Sequence, residues 1–378
     1  MKRITKTFWP LATLSLLMGS SLLNASDEAQ IRNLENRVCA LETSKNCCCV
    51  INPPARPFNS DCWGLFITVD PLVWQGHENG LGLAIKTTDG TELISSTGVG
   101  GQARVQNLNF NWDWGFRLGL GLNTTHDAWD ILLQWTRWYS SASKSVSASD
   151  NSALYPIRNH PLSAENGLAQ SASGDLDLSL NMLDLENGRE FYVSRCLTIR
   201  PHAGLRTAWF KQELDIKYDN VSPSPSATNG SILPRQEIDA GVRYWGLGIR
   251  GGVDLQWNLF PMWSIFSNYA GSVMYNYYSR SHKENAVDAE GNKSVILNVG
   301  DFYHIGSMIQ DAQIGIRFDW ISCDECYHVG LDLGWEHHFF PGQNQFFNFT
   351  DNGAQGNFTG NDGDFATQGY FLKVRFDF

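Results

Sequence analysis

Charge is scarce in this chain: Asp, Glu, Lys and Arg make up only 18% of its 378 residues. Basic residues are the scarcer sign, 28 against 39 acids, for a formal net charge of −11. No long basic run occurs. Phosphate binding is driven by cationic patches, so nucleic acid is excluded as a partner. Long hydrophobic runs are also missing. After the first 25 residues no window of about 20 residues is continuously apolar, which excludes a further membrane-spanning helix. There is no nucleophilic-serine motif, no phosphate loop and no metalloprotease helix. No catalytic residue, cofactor or metal site is therefore expected. The acidic stretch 351–364 does not match the EF-hand spacing and reads as a solvated loop.

What is plentiful is glycine and aromatic residues: 35 Gly, 14 Trp, 12 Tyr and 21 Phe. Disordered chains are poor in aromatics and rich in charge, so global disorder is excluded. Lys2, Arg3 and Lys6 precede a short, broken apolar stretch over 8–23, and Ala25 is a small residue after it. This pattern predicts a signal peptide over 1–25. Residues 26–43 read as a short helical stalk, with Ile31, Leu34, Val38 and Leu41 at heptad spacing. Residues 44–62 form a Cys- and Pro-rich linker, since Pro53-Pro54 ends any helix.

From residue 63 to 378 the texture is uniform: alternating segments separated by turn residues, the signature of an outer-membrane barrel. In 370–378, Tyr370, Leu372, Val374, Phe376 and Phe378 share one face, while Phe371, Lys373, Arg375 and Asp377 share the other. In 109–122, Phe110, Trp112, Trp114, Phe116, Leu118, Leu120 and Leu122 oppose Asn109, Asn111, Asp113 and Arg117. In 197–210 an apolar set opposes Arg200, His202 and Arg206; in 314–320 another opposes Arg317 and Asp319. In 327–336, Leu331, Leu333 and Trp335 oppose His328, Asp332 and Glu336. A soluble sandwich also alternates, but aromatics at strand ends (Trp257, Trp263, Trp320, Tyr327) mark membrane interfaces. The fold class expected is an all-β, transmembrane antiparallel barrel. Short turns near 123–126, 187–196, 258–263 and 321–326 alternate with long polar loops near 143–172, 213–236, 281–303 and 341–364. Ten strands follow directly from this alternation. A further pair in 79–102 raises the expected number to about 12, within a range of 10–16. Residues 237–250 show a phase slip that suggests a bulge.

The charged faces supply the candidate pore lining: Asp113, Arg117, Asp130, Arg200, Arg206, Arg250, Asp254, Arg317, Asp332, Glu336, Lys373 and Arg375. Rings of charge set ion preference in pores. Barrel diameter grows with strand number, so with ten strands these charges pair and plug the lumen, and with fourteen they line a channel. Twelve strands favour a narrow channel. The terminal strand, with Tyr370, Leu372, Val374, Phe376 and Phe378, resembles the signal read by the barrel-assembly machinery, since a free edge can pair with a receptor strand. An oxidising periplasm permits disulfides among Cys39, Cys47, Cys48, Cys49, Cys62, Cys196, Cys323 and Cys326. Eight cysteines allow 105 pairings, and the sequence selects none.

Several blocks together resemble the major outer membrane porins of Legionella and Chlamydia-like bacteria: Trp63-Gly64-Leu65-Phe66, Trp114-Gly115-Phe116-Arg117-Leu118, His126-Asp127-Ala128-Trp129-Asp130, Leu183-Asp184-Leu185-Glu186-Asn187-Gly188-Arg189, Leu197-Thr198-Ile199-Arg200-Pro201-His202 and the closing stretch 369–378. The resemblance covers roughly 60–378. It implies an abundant porin and surface antigen, oligomeric, with disulfide cross-links in the envelope; it implies no site residue. The expected function is passive diffusion of small hydrophilic solutes and ions across the bacterial outer membrane. The alternative is a disulfide-linked structural or adhesin barrel with a closed or narrow lumen. Expected partners are outer-membrane lipid, the barrel-assembly machinery, disulfide-linked envelope proteins and further copies of the chain, as a trimer.

Overall fold

The computed structural model describes residue 55 and residues 64–88, 102–124, 127–160, 167–222, 232–322, 327–349, 357–360 and 363–378. The expected signal peptide and stalk, and all of the linker except Ala55, lie outside the described residues.

Ten long strands carry the fold: β1 (Leu65–Glu78), β2 (Trp112–Asn123), β3 (Trp129–Ser147), β4 (Ser171–Arg189), β5 (Leu197–Val221), β6 (Leu233–Phe260), β7 (Trp263–Val287), β8 (Lys293–Ile321), β9 (His328–Asn344) and β10 (Gly363–Asp377). Each pairs antiparallel with the next, and β10 pairs with β1, so the ladder closes on itself. Closure satisfies the backbone hydrogen bonds without edges, as a lipid surround requires. The extra pair placed in 79–102 does not join the ring. Instead Gly82–Thr87 pairs with Ala103–Asn107 and Leu154–Pro156 in a separate three-stranded sheet. The count is therefore ten, the low end of the expected range.

Two belts of aromatic residues bound an apolar outer wall. Trp257, Trp263 and Trp320 mark one end and Trp209, Trp245 and Tyr275 the other, all exposed. Trp245 and Trp257 lie on one strand, a separation of roughly 30 Å at the usual rise and tilt. That matches the hydrocarbon thickness of a bilayer, about 30 Å.

The strands do not stop at the second belt. Stretches expected as loops, 213–221, 233–236, 281–287 and 293–303, are hydrogen-bonded strand. There the pattern inverts. Lys211, Glu213, Asp215 and Lys217 face out, while Gln212, Leu214, Ile216 and Tyr218 are buried inside. A polar outside with an apolar inside is what a strand surrounded by water needs. Outward polarity alone makes these stretches resemble loops. The same inversion accounts for the phase slip in 237–250. Ile238, Ala240, Val242 and Tyr244 point in, Trp245, Leu247 and Ile249 point out, and the register across to β5 is unbroken. No bulge is present there. One does occur between Phe110 and Gly115, where four residues oppose three of β3, and it turns Phe110 inward rather than onto the Trp112 face.

Candidate functional site: the barrel lumen

The lumen contains three kinds of filling, arranged in layers. Near the end where β1 begins and β10 finishes, Arg317 holds Asp332 through two bonds of 2.6 and 2.7 Å. Arg375 holds Asp377, and His328 bonds Asp377 at 2.7 Å and Asp319 at 3.0 Å.

The middle layer is a network of guanidinium groups. Arg200 bridges Asp130 and Asp254. Arg206 grips Asp184 bidentately at 2.6 and 2.7 Å and reaches Asp311 at 2.7 Å. Arg250 joins Glu186 at 2.8 Å to the same Asp311, which also accepts from His338 at 2.7 Å. Arg117 spans Asp70 and Glu336, and Glu336 also accepts from Trp74 Nε1 at 2.7 Å. Asp70–Arg117, Arg200–Asp254, Arg206–Asp184 and His338–Asp311 join directly opposed residues of neighbouring strands, while Arg206 to Asp311 and Arg117 to Glu336 reach across three strands of the ring. Bidentate guanidinium–carboxylate contacts are strong and directional.

Two small cavities sit among these charges, of about 80 and 70 Å³. Arg200, Asp254, Asn268 and Lys373 border both. Asp70 Oδ1, His202 Nδ1 and His338 Nε2 are buried at the larger one with no hydrogen-bond partner among the described residues. Buried polar atoms of this kind are ordinarily satisfied by internal water, and the space suffices for it. Lys373 makes no hydrogen bond or ion pair among the described residues, unlike the guanidiniums around it.

The upper layer is mainly apolar, with Glu78 and Gln212 buried in it. Trp74, Trp138, Phe210, Phe340 and Phe365 are fully or nearly fully buried and stack together. Phe365 lies 4.9 Å from Phe210 and 5.7 Å from Phe340, and Trp138 lies 5.8 Å from Trp74. Above it Leu81 and Leu83 enter the core from the three-stranded sheet. Arg158 is buried and donates to Gly82 O at 2.9 Å, and Glu284 accepts from His160 N at 2.6 Å, so the connection after β3 is tied into the mouth.

The expected lining residues Arg117, Asp130, Arg200, Arg206, Arg250, Asp254, Arg317, Asp332, Glu336, Lys373 and Arg375 all face the lumen. Asp113 does not join them. It sits at the Phe110–Gly115 bulge and accepts from Ser140 at 2.6 Å. Asp70, Asp184, Glu186, Asp311, His202 and His338 were not selected from sequence. The alternation Leu183-Asp184-Leu185-Glu186 carried the signal for two of them; Asp311 fell beyond the segment read as strand. Tyr370, Leu372, Val374 and Phe378 lie on the outer face as expected; Phe376 is half-buried and stacks on Tyr327. Of the cysteines, Cys196 is exposed in the turn before β5; the other seven lie outside the described residues.

A closed antiparallel ring with an apolar outer belt, aromatic borders and a charged interior defines an outer-membrane β-barrel. The chain belongs to the family of the Legionella pneumophila major outer membrane protein precursor, whose model matches residues 57–378. It is a protein of the bacterial outer membrane. No curated protein matches its sequence. Solved structures similar to it include the Escherichia coli outer membrane protease OmpT, at 10% identity and TM-score 0.35 over 85% of this chain and 97% of that one. A major outer membrane protein of Thermus thermophilus aligns at 11% identity and TM-score 0.28, over 83% and 99%. The toluene transporter TodX of Pseudomonas putida aligns at 12% identity and TM-score 0.29, over 87% and 92%.

Proposed function

We propose that the protein is an outer-membrane porin of narrow bore that passes water and small inorganic ions, its lumen closed in this conformation. The observation that supports this reading is the contrast between the lumen's layers. Where the upper layer needs only to hold the walls together, it is filled mainly with aromatic and aliphatic side chains around a single Glu78–Gln212 hydrogen bond. Buried ion pairs are a poorer filling, since replacing them with packed apolar groups is often neutral or stabilising. A middle layer that keeps four guanidiniums around water-sized cavities is suited to hydration and charge, the properties a conducting path requires. Ten strands narrow the expected solute range: the paired charges leave no bore for larger hydrophilic molecules.

The rest of the reading follows the same role. The N-terminal 25 residues act as a signal peptide, the terminal strand is read by the barrel-assembly machinery, and the external wall acts as a surface antigen. The cysteines link copies or neighbouring envelope proteins, and the assembly is a trimer. The protein is not an enzyme and takes no cofactor.

The second reading is a closed barrel that serves as a disulfide-linked structural or adhesive protein. The aromatic stopper around Phe365 favours it. Planar-bilayer recording separates the two. The purified protein should give small, discrete conductance steps, and Trp138→Ala/Phe365→Ala should enlarge or prolong them. Silence from both proteins, each shown to be β-rich and heat-modifiable on gels, would remove the porin reading and leave the closed barrel.

A further inference from the structure

We propose that the outer wall carries a binding site for a neutral, hydroxyl-rich sugar ring at the level of the lipid head groups. A cavity of about 400 Å³ opens there, within the roughly 300–1,000 Å³ range of small-ligand sites. It is built across three neighbouring strands whose register is fixed. Tyr139 of β3 opposes Ser179 of β4, which opposes Lys211 of β5. In the next row Ser141 opposes Asp177, which opposes Glu213. Ser179 at the middle of the first row leaves the floor low, and Tyr139 and Lys211 form the walls. Asp113, half-buried at the Phe110–Gly115 bulge and held by Ser140, closes one end.

The position of the cavity is set by the row below it. Arg137, Asn181, Trp209 and Trp245 are opposed in register there and belong to the aromatic border. The cavity is the first feature above the apolar band, where head groups lie and acyl chains do not. The side chains then decide the chemistry. Asp177 and Glu213 are acceptors for ligand hydroxyl groups, and the serine hydroxyls can donate or accept. Tyr139 offers an aromatic surface to the C–H face of a ring, and Arg137 stacks on it at 4.8 Å from its centroid. The lining has three carboxylates against one ammonium, and Glu213 already holds that ammonium at 2.6 Å. An anionic head group would meet repulsion; a neutral sugar would not. Such a ring can come from a glycolipid of the outer leaflet or from free saccharide in the medium.

The test uses the full mature protein in a sugar-free amine-oxide detergent. Native mass spectrometry compares a monoglucosyl diacylglycerol with a phosphatidylglycerol of the same chains. Saturation-transfer NMR with free glucose forms the second arm. The expected result is at least tenfold more glucosyl lipid than phosphatidylglycerol retained, reduced to parity in Asp177→Asn/Glu213→Gln. Both positions are exposed, and an unchanged gel heat shift verifies folding of the variant. Retention of the lipid without glucose transfer assigns the site to a head group; transfer to glucose of similar strength assigns it to free saccharide. Equal retention of both lipids with no glucose transfer, or binding unchanged in the variant, overturns the proposal.

Discussion

Glu78 sits in the upper lumen with no solvent contact of consequence. Its Oε2 accepts from Gln212 Nε2 at 2.5 Å, while Glu78 Oε1 and Gln212 Oε1 are buried without a partner among the described residues. Burial pushes the Glu78 carboxyl up to about 8, against the opposing hydrogen bond from Gln212 and the charge of Arg158. Between the ordinary carboxyl range and about 8 the folded chain binds one proton more than the unfolded chain. Stability should therefore fall as pH rises through that window and level off above it. Glu78→Gln should flatten this dependence and raise stability at pH 8 by a few kcal/mol, read from denaturant unfolding at pH 5 and pH 8. At this scale the sequence was legible where a charge interrupted an apolar alternation, as with Arg117, Arg206 and Glu336. It was not legible for Glu78, which follows Gly76 and His77 in a stretch with no alternation of its own.

The long strands β5 to β8 carry two environments end to end. Below Trp209 and Trp245 their outer residues meet lipid; above them the same face meets water. The aromatic residues were legible as borders, but the strand beyond them was not, because a period-two pattern that swaps its sign looks like a polar loop. Interior positions Leu214, Ile216 and Ile238 were the signal that these stretches continue the sheet. The exposed part has its own cost. Asp175, Asp215 and Asp239 stand directly opposite one another on three adjacent strands, and like charges so placed are destabilising. Partial burial, followed by the charges of Asp239, Asp177 and Glu213, raises the Asp215 carboxyl above its usual range. The raised value means that this repulsion is relieved as pH falls and felt in full at neutrality. Asp215→Asn should raise the thermal midpoint at pH 7 and leave it unchanged at pH 3, as differential scanning calorimetry would reveal.

For the whole molecule, the barrel and its charged interior were legible from alternation and connection length. The strand number was not. Residues 82–87 and 103–107 have the composition of barrel strands, and nothing local says that they pair with each other and with Leu154–Pro156 instead. That choice depends on contacts far apart in sequence, which a pattern read along one chain does not contain. The number sets how far charges reach inside the ring: Arg206 of β5 meets Asp311 of β8, and Arg117 of β2 meets Glu336 of β9. The seam between β1 and β10 is the last join of the ring. Val69 pairs with Val374 on one side and Leu118 on the other. Val69→Pro removes a backbone donor from a strand with two partners, and the folded, faster-migrating gel band should be lost without heating.

The closed ladder also governs how the protein comes apart. An open sheet can fray from an outer strand, one hydrogen bond at a time. A ring has no outer strand, so the first opening must tear a whole seam while every other strand still holds its neighbours. Lifetime, rather than equilibrium stability, is then what the architecture maximises. A molecule assembled once at the cell surface, beyond the reach of the cell's energy supply for repair, persists by being slow to begin unfolding.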